Sequence, residues 1–177
     1  ASGGAAQLIV MQMSSEKRKL ESAALLEFAD ALEAHWGICS FAFQELRDPP
    51  EPDALCYLRG QLIHVEVAHV YGTLSDTKSL LGRTGKAAAT LNERRCSALI
   101  PLDQRLIEPL NRVLATKARK RYRATRLWLV IRSAFPLWRV GDFRRHQASI
   151  CVPTHHSFDQ IWLLCGPRSD SGVLRIA

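Results

Sequence analysis

Residues 52–72 read PDALCYLRGQLIHVEVAHVYG, and their pattern sets the fold. Two apolar runs, 53–58 and 61–70, flank the dipeptide Arg59-Gly60. A two-residue link between such runs predicts an antiparallel hairpin. Side chains alternate along a strand, so His64, Glu66 and Ala68 share one face and Ile63, Val65 and Val67 the other. Glu66 therefore falls inside an apolar strand, and Asp53 opens the partner strand directly after Pro52. An ionised carboxylate in such surroundings is costly unless a cation or hydrogen-bond donors satisfy it.

On the N-terminal side, Ser15 can cap a helix running to Trp36, with Leu25, Phe28 and Leu32 on one face and Gly37 ending it. Residues 38–46, ICSFAFQEL, predict a strand, and RDPPEP is a proline-rich connection that cannot be helix or central strand. On the C-terminal side, residues 71–95 are polar and glycine-containing and predict an exposed excursion. Pro101 opens a helix from Leu102 to about Arg121, with Leu102, Leu106, Leu110, Val113 and Leu114 as its apolar face. Residues 126–134, RLWLVIRSA, are apolar enough for a central strand, and 158–166, FDQIWLLCG, predict a fifth strand. Between them, 135–152 mixes basic and aromatic residues, and the tail is polar until VLRIA. Helix, three strands, helix, strand, strand predicts an α/β fold in which helices flank a mixed β-sheet.

The chain has 177 residues, of which 47% are hydrophobic, enough for one globular domain with a substantial core. That domain is expected over 15–177, with 1–14 as a flexible leader. No basic region precedes the leader's short apolar patch, so it does not read as a signal peptide, and no stretch approaches a bilayer-spanning length. The five cysteines, Cys39, Cys56, Cys96, Cys151 and Cys165, are scattered and form no CxxC pair. They read as free thiols of a cytoplasmic protein. A zinc site from Cys151, His155, His156 and Cys165 is the alternative, but its spacing matches no common structural pattern.

The net charge is +7, and the excess is concentrated. Residues 112–126 carry Arg112, Lys117, Arg119, Lys120, Arg121, Arg123 and Arg126 with no acid among them. One account is a solvated helix end whose cations complement the helix dipole. The other is a phosphate-binding surface.

The hairpin brings Asp53 near Glu66, and two carboxylates on adjacent strand ends make a hard-oxygen site suited to Mg²⁺ or Mn²⁺. Glu21 precedes Leu25, Phe28 and Leu32 at helical spacing, which aims it inward; Lys117 follows Leu110, Val113 and Leu114 in the same way. An inward acid and an inward lysine over paired carboxylates suit phosphoryl transfer. Each residue also has a purely structural reading. Asp53 can be a turn acid, Glu66 can pair with Arg59, Lys117 or a histidine, and Glu21 can lie at a frayed helix start.

The motif EPD…HVEVA, after a helix containing KLESAALLEFADALEAHWG, resembles the PD-(D/E)XK nuclease superfamily. It is nearest to small bacterial members whose third strand lacks the motif lysine. The likeness covers roughly residues 17–165. It implies a restriction-endonuclease-like core in which Asp53 and Glu66 are the metal-binding acids and Glu21 the first-helix acid. This chain departs from the pattern at Ala68, where the family has lysine. Lys117 is the first candidate to replace it from a helix, and His64, on the Glu66 face, the second. The implied activity is Mg²⁺- or Mn²⁺-dependent hydrolysis of nucleic acid, with Arg112, Arg119, Lys120, Arg121, Arg123 and Arg126 holding the backbone. The alternative is an inactive domain of that fold that binds nucleic acid or a protein partner.

Overall fold

A computed structural model describes residues 3–38, 40–71, 102–134, 138–165 and 172–177. Helix α1 spans Gly3–Trp36, followed by β1 (Phe41–Leu46), β2 (Ala54–Leu58) and β3 (Gln61–Val70). Helix α2 (Leu102–Ala118), β4 (Leu127–Ser133), the short helix α3 (Val140–Arg145), β5 (Gln160–Cys165) and β6 (Val173–Arg175) complete the chain. The strands form one six-stranded mixed sheet in sequence order, β1 to β6. The β3–β4 and β4–β5 pairs are parallel and the other three antiparallel.

The hairpin forms as its sequence predicts. Leu58 pairs with Gln61, and Arg59 and Gly60 both take positive φ, 50° and 76°. Two left-handed residues in succession match the twist of the flanking strands. Gly37, at φ 62°, ends α1, and the amides of Gly37 and Ile38 return to the carbonyls of Glu33 and Leu32.

Each face of the sheet buries its own core. On one face, α1 lays Leu25, Phe28 and Leu32 over Phe41, Val65, Trp128 and Trp162. The Phe28 ring meets Phe41 and Trp162 edge-on at centroid distances of 5.3 and 5.8 Å. On the other face, Leu106, Leu110 and Leu114 of α2 pack with Leu129, Ile131, Phe143 and Leu163. Leu127 through Ile131 are all buried because β4 lies between β3 and β5 with helices on both sides.

Several elements differ from the sequence reading. Helix α1 begins at Gly3 and not at Ser15, so the segment expected as a leader is largely helical. Its Ala, Gln, Leu and Met content favours helix. β1 begins at Phe41 and β5 at Gln160, each later than expected. Helix α2 ends at Ala118, short of Arg121. Beyond it Tyr122 and Ala124 turn into the core that α2 itself covers, which a continuing helix would not permit. The mixed segment yields α3, where Asp142 accepts a hydrogen bond from the Arg139 amide at 2.9 Å. A sixth strand, Val173–Arg175, adds to the sheet edge beside β5. The predicted excursion falls, apart from Tyr71, outside the described residues, as do Cys39 and Cys96.

Candidate functional site

Register places the two carboxylates. Ala54 pairs with Val65, so Asp53, one residue earlier, stands opposite Glu66. β3 runs on to Val70 after β2 has ended, which leaves Val67 without a strand partner on that side. Side chains take over. Asp53 Oδ2 accepts the Val67 amide proton at 2.9 Å, and Lys117 Nζ donates to the Val67 carbonyl at 3.0 Å.

Lys117 also donates to Glu66 Oε1 at 2.6 Å. The Glu66 side chain is 3% exposed and that of Lys117 17%, so this pair is largely desolvated. Lys120, at 3.4 Å, approaches the same Glu66 oxygen from the outside. Lys17 on α1 bridges two acids, Glu21 at 2.9 Å and Asp53 at 3.2 Å. Glu21, Asp53 and Glu66 are all buried. Three carboxylates thus face the three ammonium groups of Lys17, Lys117 and Lys120, and the corner is close to charge-neutral.

Ionisation differs across the corner. Burial alone would raise the Asp53 carboxyl, but the Val67 amide and the charges of Lys117 and Lys17 outweigh it and hold Asp53 below its ordinary range. For Glu21 burial prevails, and with the repulsion of Asp53 it raises the carboxyl despite Lys17. The Tyr122 hydroxyl lies buried near Glu66 with no well-formed hydrogen bond among the described residues, and burial, then Glu66, push its phenol up. His69 is pushed down to about 4 by burial, followed by the charges of Arg132 and Lys117.

The structure therefore brings together Glu21, Asp53, Glu66 and Lys117, the residues singled out by spacing. Ala68, two residues beyond Glu66, is buried and brings no charge. His64 shares the Glu66 face, but burial and then Arg47 lower its pKa, and its Nδ1 has no hydrogen-bond partner among the described residues. Spacing missed Lys17, although its separation of four residues from Glu21 marks a helical pair. It also assigned Lys120 to the phosphate surface alone, whereas the ammonium reaches Glu66.

The basic residues divide. Arg112 lies on the exposed side of α2 and pairs with Glu108 at 2.8 Å. Arg126 hydrogen-bonds Gln61 at the far end of β3. Arg119, Arg121 and Arg123 are exposed and meet no carboxylate among the described residues.

Among the described residues no three His, Cys, Asp or Glu side chains converge as a ready metal cluster. The four residues of the zinc alternative, Cys151, His155, His156 and Cys165, are accordingly not brought together, with Cys165 buried and Cys151 exposed. No described helix is long and apolar enough to cross a membrane. No protein-family model matches the chain, and neither does any curated protein or solved structure. The described residues form a mixed α/β domain with a buried, charge-balanced carboxylate–ammonium corner, beside which Arg119, Arg121 and Arg123 are exposed and meet no described carboxylate.

Proposed function

We propose that this chain hydrolyses phosphodiester bonds of nucleic acid with a divalent metal ion, Mg²⁺ or Mn²⁺, on a restriction-endonuclease-like core. One observation carries the reading. Helix α2 delivers the Lys117 ammonium to the Asp53–Glu66 corner, where strand position 68 is an alanine. The order of helix, three antiparallel strands, helix and a strand parallel to the third supports the same fold.

The donors suit a hard cation. Asp53 and Glu66 offer carboxylate oxygens and Val67 a carbonyl oxygen, and Lys117 already bonds the last two. Mg²⁺ is commonly held by one or two carboxylates, with water and substrate phosphate completing its shell, so a full protein cage is not required. Asp53 and Glu66 would hold the ion, which supplies Lewis acidity toward phosphate and the attacking water. Asp53, kept ionised by the Val67 amide and two lysines, is ready to bind a cation at neutral pH. Lys117, on leaving Glu66, can balance charge on the phosphate, and Glu21 keeps Lys17 beside Asp53. The exposed Arg119, Arg121 and Arg123 hold the backbone without reading sequence.

A second reading is an inactive domain of the same fold that binds nucleic acid or a protein partner. It is favoured by the charge balance, because three lysines satisfy the three acids with no ion needed. The deciding experiment is cleavage of labelled DNA and RNA in Mg²⁺ and Mn²⁺ by wild type, Asp53→Asn and Glu66→Gln. Metal-dependent cleavage that both variants lose supports the enzyme. Binding with no cleavage under any condition supports the second reading.

A further inference from the structure

We propose that the sheet face left open at the Tyr57–Leu62 end of the hairpin, beyond the acidic corner, is a track for single-stranded nucleic acid. Bases lie on Tyr57 and Leu62, and the backbone lies along Arg121, Arg123 and Arg126. The location builds on the hydrolytic reading, and the choice of single strand over duplex comes from the surface itself.

The face follows from register. His64 and Leu62 continue from Glu66 along the same side of β3, in steps of about 6.8 Å. Leu55, which is buried, stands opposite the half-buried His64, and Tyr57 stands opposite Leu62 at the open end. Helix α2 covers Ala68 and Val70 on this side, but its cover ends before the start of β3. Leu62 is consequently 41% exposed and Tyr57 37%. An aromatic ring and a leucine side by side on an open sheet offer an apolar floor. Every base has a flat face that can stack on such a floor, whatever the sequence.

One wall is cationic. After α2 the chain passes Lys120, which touches Glu66, and ends at Arg126, whose carbonyl accepts the His64 amide proton at 3.0 Å. Between these points Tyr122 and Ala124 turn inward while Arg121 and Arg123 turn outward. The segment that carries these arginines thus runs from the acidic corner to the start of β3, where Arg126 hydrogen-bonds Gln61. The opposite wall holds Glu45 and Glu51, both paired with Arg47. Phosphates are drawn to the arginine side and bases are left over Tyr57 and Leu62. A duplex would hide its base faces from this floor and gain nothing from it, whereas a single strand uses floor and wall together.

The test is fluorescence anisotropy, without divalent metal, on single-stranded DNA, single-stranded RNA and duplex DNA of matched length. The expected result is binding of one or both single strands about tenfold tighter than duplex. Tyr57→Ala should lose about tenfold of the single-strand affinity and leave duplex affinity unchanged, while Tyr57→Phe retains the wild-type value. Leu62→Ala provides an independent probe of the same floor. Duplex bound as tightly as single strands, or single-strand affinity untouched by both alanine variants, overturns the track. If cleavage persists in that case, the hydrolytic reading stands alone. No binding to any of the three molecules, with no cleavage, rejects both.

Discussion

Lys117 on α2 donates to Glu66 on β3 at 2.6 Å, in a pair that water scarcely reaches. A desolvated pair of this kind gains little over an apolar substitute, but removing one partner strands the other. Glu66→Gln should therefore destabilise the fold by about 3 kcal/mol, less than a fully buried pair would lose because Lys117 retains some solvent access. Lys117→Met has a different signature. It frees Glu66 and the Val67 carbonyl from an ammonium that any divalent cation must displace. Mn²⁺ binding, followed by electron paramagnetic resonance, should strengthen in Lys117→Met while cleavage is lost. Weaker Mn²⁺ binding in that variant would mean that the ammonium does not compete for these oxygens.

Asp53 and Glu21 share Lys17 but should respond to substitution in opposite ways. Asp53 has a folded pKa below its unfolded value, so its contribution is present above the unfolded pKa and fades as pH falls through the folded one. Glu21 is raised, so its contribution is complete below the unfolded pKa and is lost as pH rises through the folded one. At pH 7, Asp53→Asn should cost about 1–3 kcal/mol, because it weakens the hold on the Val67 amide and on Lys17. Glu21→Gln should be neutral or stabilising. Urea midpoints of the two variants at pH 7 decide the matter, and equal losses would contradict the assignment.

Much of the corner was legible because it depends on two periods. A period of two put Glu66 on the opposite face from Val65 and Val67, and helical spacing aimed Glu21 and Lys117 inward; all are where those patterns predict. The hairpin was legible because Arg59-Gly60 is too short to be anything but a tight turn. Other features depend on long-range relations that a local pattern does not encode. Val67 needs side-chain partners only because β2 ends before β3 does. Helix α2 stops at Ala118 because Tyr122 finds a place against Phe158, at a ring distance of 5.7 Å, in a core built partly from β5. Strand β6 is three residues long, too short to carry a period, and exists only because β5 offers an edge.

His69 gives the protein a second pH dependence, in a window separate from that of Asp53. Burial, reinforced by Arg132 and Lys117, pushes the imidazole from 6.5 down to about 4. A folded pKa below the unfolded one means that the unfolded chain binds the proton first. Stability should accordingly fall as pH drops from about 6.5 toward 4, by about 1–3 kcal/mol for this group. Asp53 extends the loss to lower pH. His69→Gln, which stays neutral, should flatten the upper part of the profile. An unchanged slope between pH 6.5 and 4 would show that His69 is not its source.

Salt dependence separates the basic segment from the acidic corner. Arg121 and Arg123 are exposed and meet no acid among the described residues, so their charge is available to a phosphate backbone. Neutralising about four phosphates of a duplex implies a slope near −3.6 in log affinity against log salt, and near −2.8 for a single strand. Arg121→Ala combined with Arg123→Ala should weaken binding to all sequences alike and flatten the slope by about 1.4 to 1.8. Asp53→Asn should leave both affinity and slope intact, because Asp53 faces Val67 and Lys17 and not the surface. The Arg112 variant serves as a comparison. It already pairs with Glu108 on the outer side of α2, so Arg112→Ala should change the slope much less. A salt titration of these variants on one oligonucleotide measures all of this, and a slope that Arg112→Ala and the double variant alter equally would mean the charge acts diffusely and not through the 119–126 segment.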